Sequence, residues 1–180
     1  LDAIKTTALL GLAFLGFLAL SYYENLFFFN IVGDITRNQL LAVLMLFVHN
    51  ILVVSLILLG MTFYVNLVLL DFFKREKHGR IVIEHPKTFA IAFTIMILFL
   101  SILRGAILIY GRVYVEDLPL ILLVSTPMGI IEGYGIYLTL KKTLSRTMTI
   151  KDLAYIYGIF FIAAIIEVGF INLLLAVTAS

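Results

Sequence analysis

QLLAVLMLFVHNILVVSLILLGMTFYVNLVLLDFF, residues 39–73, decides the class of this chain. It runs for 35 residues with a single charge, Asp71, near its end. No soluble domain has a core that would bury so long an apolar run. As one straight helix at 1.5 Å per residue it would reach about 52 Å, more than the roughly 30 Å of hydrocarbon in a bilayer. The reading is therefore a break at His49-Asn50. LLAVLMLFV upstream forms an interfacial or re-entrant helix before the second span, and a full crossing follows over residues 51–70.

The rest of the chain agrees. Hydrophobic residues make up 63% of the 180, and the mean hydropathy is +1.14, against roughly 45 to 50% apolar usage in soluble domains. Four more apolar runs can each cross a bilayer, at about 6–23, 87–110, 118–140 and 152–179. Ala19-Leu20-Ser21 faintly resembles a signal-peptidase site, but an uncleaved anchor is the expectation. Residues 25–38 mix aromatics with Gly33, Asp34 and Arg37, which predicts a loop or surface-lying helix. Thr149 or Asp152 caps the last helix. The expected fold class is all-α, a polytopic transmembrane helical bundle of five spans in a single membrane domain.

Basic residues give the orientation. Lys5, Lys74, Arg75, Lys77, Arg80, Lys87, Lys141, Lys142, Arg146 and Lys151 fall on one side, and Arg37 and Arg112 on the other. Ten against two predicts a cell-membrane protein with its amino terminus and basic loops in the cytoplasm and its carboxyl terminus outside. A net charge of +2 gives no argument for nucleic acid. The basic loop KREKHGRIVIEHPK, residues 74–87, has an alternating core, Ile81-Val82-Ile83, that could form a strand, although a solvated positive loop against anionic lipid is the preferred reading. There is no cysteine, so disulfides and thiolate metal sites are excluded. His78 and His85 lack a third ligand, and no cofactor is expected.

Chemistry must then come from polar residues inside the spans. Glu132 and Glu167 stand out, because a charge at bilayer depth costs roughly 2.5 to 3.5 kcal/mol and is seldom kept without a partner or a role. In TPMGIIEGYGIY, residues 126–137, Pro127 suits the start of a restarted helix, with Gly129 and Gly133 four apart on a close-packing face. Ala163 and Ala164 put small residues on the Glu167 side of the last helix. Glu132 is read evenly as structural or as an ion, proton or ligand contact. Glu167 lies roughly 22 Å from Asp152, and Arg104 roughly 25 Å from Lys87 on a helix running the same way, so the two are expected at one depth. Arg104 then either pairs with Glu167 or snorkels outward past Tyr110. His49-Asn50 can cap a helix start, and Asn66 can hydrogen-bond to a neighbouring helix.

NILVVSLILLGMTFYVNLVLL (50–70), PMGIIEGYGIYL (127–138) and AAIIEVGFIN (163–172) together resemble the stage II sporulation protein M family of five-span membrane proteins. The order of these features matches over about residues 45–172. That family has a histidine where this chain has Met128, so a histidine-dependent role does not carry over, whereas its acids correspond to Glu132 and Glu167. The resemblance implies a membrane scaffold or complex subunit without catalytic activity. Such a subunit would work with the lipid bilayer and with other membrane or envelope proteins, and the glycine face read from spacing offers it a homodimer contact. The alternative is an ion- or proton-coupled transporter or channel using Glu132 and Glu167, for which broken helices near Asn50 and Pro127 would be suitable. An intramembrane hydrolase is the third reading; no activated nucleophile supports it.

Overall fold

A computed structural model of the chain describes residues 2–35, 38–70, 78–110 and 114–178, with side chains over 2–27, 38–70, 81–103 and 114–172. Among the described residues the protein is all-helical: α1 (Ala3–Ile35), α2 (Gln39–Leu69), a short α3 (His78–Glu84), α4 (Pro86–Tyr110), a 3₁₀ turn at Val115–Asp117, α5 (Leu118–Leu144) and α6 (Ile150–Thr178). The five long helices are each apolar enough and long enough to cross a membrane. Large apolar side chains cover their outside, among them Leu12, Leu20, Ile95, Leu123 and Ile162. On a soluble monomer an apolar surface of that extent would drive association.

Four expectations are corrected. α2 is one continuous helix of 31 residues, so there is no separate interfacial or re-entrant helix and His49-Asn50 caps nothing. Its amino-terminal cap is Asn38, whose side chain accepts from the Leu41 N–H at 3.2 Å. The segment 25–38, expected as a loop or a surface-lying helix, is not a separate element, because α1 continues to Ile35. Asn25 satisfies its own amide there by donating to the Ser21 carbonyl at 2.9 Å. Ile81-Val82-Ile83 is helical, within α3. Pro127 lies inside α5 and does not restart it; the proline near the start of that helix is Pro119.

α2, α5 and α6 pack against one another, while α1 lies along α2 and α4 along α5. Val54, Ala90, Ile136, Leu140, Ile156 and Phe160 form the core, each at most 4% exposed. A smaller cluster, Ala42 and Val168, joins α2 to α6 nearer the other end. Ser55 Oγ and the Tyr157 hydroxyl, 3.0 Å apart, tie the same two helices at the level of the first cluster. α1 and α2 interlock reciprocally. A Cβ on Gly60 would stand 2.9 Å from the Phe14 ring, and one on Gly11 3.0 Å from the Phe63 ring.

The turn from α5 to α6 is fixed by polar contacts. Thr149 accepts from the Asp152 N–H at 3.2 Å, while Asp152 Oδ2 accepts from the Thr149 N–H at 3.0 Å and its hydroxyl at 2.8 Å. This is a reciprocal cap of the expected kind. Lys142 Nζ reaches Asp152 at 3.1 Å. Thr149→Ala should lower stability by about 1 kcal/mol, and Thr149→Ser should restore most of it, as read from unfolding midpoints in detergent.

Candidate functional site

Helix register brings the polar residues to one level. α2 and α5 run in the same direction, and their core residues Val54 and Ile136 share one cluster. One turn back from each lie Asn50 and Glu132. α6 runs the opposite way, with Phe160 against Gly135. One turn beyond Phe160 come Ala163 and Ala164, at 1% and 0% exposure, so small side chains face the level of Glu132. Glu167 follows one turn later. Glu132 stands 14 residues from one end of α5 and 12 from the other, about the middle of its length.

The contacts within this layer are specific. Glu132 and Glu167 are near enough for their charges to act on each other, and both are half-buried. Asn50, at 8% exposure, lies alongside the Glu132 carboxyl. Its Nδ2 is enclosed, yet no acceptor stands at hydrogen-bonding distance and geometry. Among the described residues, no cation forms an ion pair with either glutamate. Arg104 belongs to α4, but its side chain, and with it the pairing with Glu167, lies outside the described residues.

His49 turns to the other side of α2. Its Nδ1 lies 3.0 Å from Oε2 of Glu24 on α1, with the two side chains 23% and 10% exposed. The second Glu24 oxygen is enclosed and has no partner. Sequence reasoning missed Glu24 because Tyr22-Tyr23-Glu24 reads as an interfacial helix end. The available signal was His49 itself, a titratable side chain in an apolar run that needs a polar partner. The layer therefore crosses four helices, from Glu24 through His49 and Asn50 to Glu132 and Glu167.

The remaining expected residues separate. Gly133 is a close-packing position: a Cβ there would meet Leu98 Cδ1 of α4 at 2.6 Å. Among the described residues nothing lies within 4 Å of a Cβ added at Gly129, so no described neighbour uses its small size. Pro127 has no N–H, which leaves the Leu123 carbonyl without its intrahelical donor. Asn66 is far from the acids and lines a cavity at the opposite end of α2, with Thr143 and Arg146. Among the described residues, no group of three His, Asp or Glu side chains could hold a metal ion. Compared with known proteins, the chain matches no family model, no curated protein and no solved structure.

Proposed function

We propose that this chain is a five-span integral membrane subunit without catalytic activity, a scaffold whose Glu132 and Glu167 face is completed by another membrane helix. One observation carries the reading: two mid-helix acids lie within electrostatic reach of each other, half-covered, without a cation among the described residues. In a bilayer each ionised carboxylate costs roughly 2.5 to 3.5 kcal/mol, and a partner that covers and hydrogen-bonds the pair relieves that cost. Gly129, one turn from Glu132 with no described side chain within 4 Å of an added Cβ, lets a second backbone approach closely. A second copy meeting at this face would form a closed dimer. The resemblance to the stage II sporulation protein M family supports the same reading by analogy. With the basic loops in the cytoplasm, the exposed apolar helices face lipid or envelope partners.

The absence of cysteine makes the test direct. Gly129→Cys in native membranes should give a disulfide-linked dimer or a single larger adduct, whereas Leu12→Cys, 67% exposed on α1, should give neither. Glu132→Leu should weaken the association about 3- to 18-fold, the range expected for losing an interhelical hydrogen bond worth ~0.6 to 1.7 kcal/mol. Only monomer at every protein density would refute the scaffold reading.

A second reading, proton or cation transport, is favoured by the row of titratable groups from Glu24–His49 to Glu132 and Glu167. Proteoliposomes discriminate between the two. A flux through wild type that Glu132→Gln and Glu167→Gln both abolish would replace the scaffold with a transporter.

A further inference from the structure

The cavity at the far end of α2 and α5 has a volume of about 270 Å³ and is lined by Thr62, Asn66, Thr143 and Arg146 on its polar side, with Leu58 and Val65 on its apolar side. Two independent features mark it out. The first is Thr143. Thr7, Thr62, Thr126 and Thr139 each donate their hydroxyl to the carbonyl four residues earlier, the usual resting place of a helical threonine. Thr143, only 5% exposed, does not, and its enclosed Oγ1 has no hydrogen-bond partner, a condition that Thr94 of α4 shares but that at the cavity falls to Thr143 alone among the described threonines.

The second is the backbone of Arg146. α5 ends in a Schellman motif, with the Thr147 N–H donating to the Lys142 carbonyl at 2.9 Å and the Arg146 N–H to the Thr143 carbonyl at 3.0 Å. The position after the cap must be left-handed, and glycine usually fills it. Here it is Arg146, at φ 57°, the one non-glycine residue with positive φ among those described. A side chain with a Cβ is disfavoured in that conformation, so the arginine is kept at a conformational cost and placed beside the cavity. Neighbouring charges leave it available: Lys142 is engaged by Asp152, and Arg146 forms no ion pair among the described residues.

We infer that Thr143, Arg146 and Asn66 form a binding site for a phosphate-bearing anion, with the phosphodiester of an acidic membrane lipid as its source. Arg146 supplies the charge and a planar set of donors, and the Thr143 hydroxyl and Asn66 amide supply further hydrogen bonds. The volume is slightly below the roughly 300 Å³ at which small-molecule pockets begin, which suits one headgroup. Leu58 and Val65 give an apolar wall to the glycerol side. Lys141, Lys142 and Lys151 share this end of the bundle and would raise the local concentration of anionic lipid. The site rests on the bilayer reading but does not depend on the Glu132 face, so monomeric protein would leave it intact.

The test uses the full chain in detergent micelles doped with phosphatidylglycerol or phosphatidylcholine, with lipid retention read by native mass spectrometry and unfolding temperature read in parallel. Wild type should retain one phosphatidylglycerol and unfold at a higher temperature with it, and phosphatidylcholine should do neither. Arg146→Gly is the decisive variant, because glycine fits the left-handed position better. It should unfold no earlier than wild type without lipid, yet bind phosphatidylglycerol about tenfold more weakly. Thr143→Val should weaken it about threefold, and Lys151→Gln, which removes only diffuse charge from this end, should weaken it less than Thr143→Val does. Equal responses to both lipids, or an undiminished phosphatidylglycerol response in Arg146→Gly, would overturn the site. If glycerol 1-phosphate raises the unfolding temperature as much as the lipid does, the lipid is overturned as the source and a soluble phosphate takes its place.

Discussion

Leucine in place of His49 should cost on the order of 3 kcal/mol, the lower end for removing one partner of a buried pair. The change strands Glu24, whose Oε2 now lies 3.0 Å from His49 Nδ1 and whose Oε1 is already enclosed without a partner. Leucine at both positions should cost less than at His49 alone, since no enclosed carboxyl then lacks a donor. Unfolding measured for the two single variants and the double variant closes a cycle that isolates the coupling. Ser21, 8% exposed beside this pair on α1, offers a local check: a cysteine there should become reactive to thiol reagents in His49→Leu and stay protected in the double variant. Additive costs would mean that the 3.0 Å contact contributes nothing to holding α1 on α2.

Valine at Gly135 should be comparably damaging for the opposite reason, since it adds volume where none is free. An added Cβ would stand 2.5 Å from Cε2 and 2.8 Å from Cζ of Phe160. That ring is 2% exposed in the core and has no room to withdraw, so the helices must separate, at about 3 kcal/mol. Phe160→Leu in the same chain should recover part of the loss by vacating the contested space. Gly129→Ala is the matched control on the same helix: among the described residues nothing lies within 4 Å of its added Cβ, and the monomer should be unaffected or slightly stabilised by the better helix former. Thermal unfolding in detergent ranks the three, and wild-type behaviour of Gly135→Val would contradict the approach of α5 to α6.

Hydropathy was enough to read the number of long helices, because a run of 18 or more apolar residues has few alternatives. Where those helices end was not legible, and the reason is local. Glu24 and Asn25 read as a boundary, yet Asn25 bonds to its own helix at Ser21 and Glu24 reaches sideways to His49. Polar residues that find partners need not break a helix. His49 and Asn50 were misread as a break in the same way: they point to opposite neighbours, one to Glu24 and one to Glu132. Pro127 is tolerated within α5 although it removes a backbone donor. The small faces beside Glu132 and Glu167 could be read from spacing alone, because Gly133, Ala163 and Ala164 fall three or four residues, or one, from an acid. The Arg146 turn could not: no glycine marks it, and only the backbone angle reveals it.

The contact of α2 with α6 has a consequence for how the chain is made. Adjacent helices can pair as hairpins during synthesis, α1 with α2 and α4 with α5, and α5 can cover part of the inner side of α2, but the remainder has no cover until α6 has left the ribosome. Ser55 and Ala42 must wait through the making of more than a hundred residues for Tyr157 and Val168. Such long-range closure is slow and leaves polar surface unmet. Biogenesis of this protein is thus set to depend on whatever shields α2 in the interval, and a chain cut short after α5 should be recognised as unfinished and degraded.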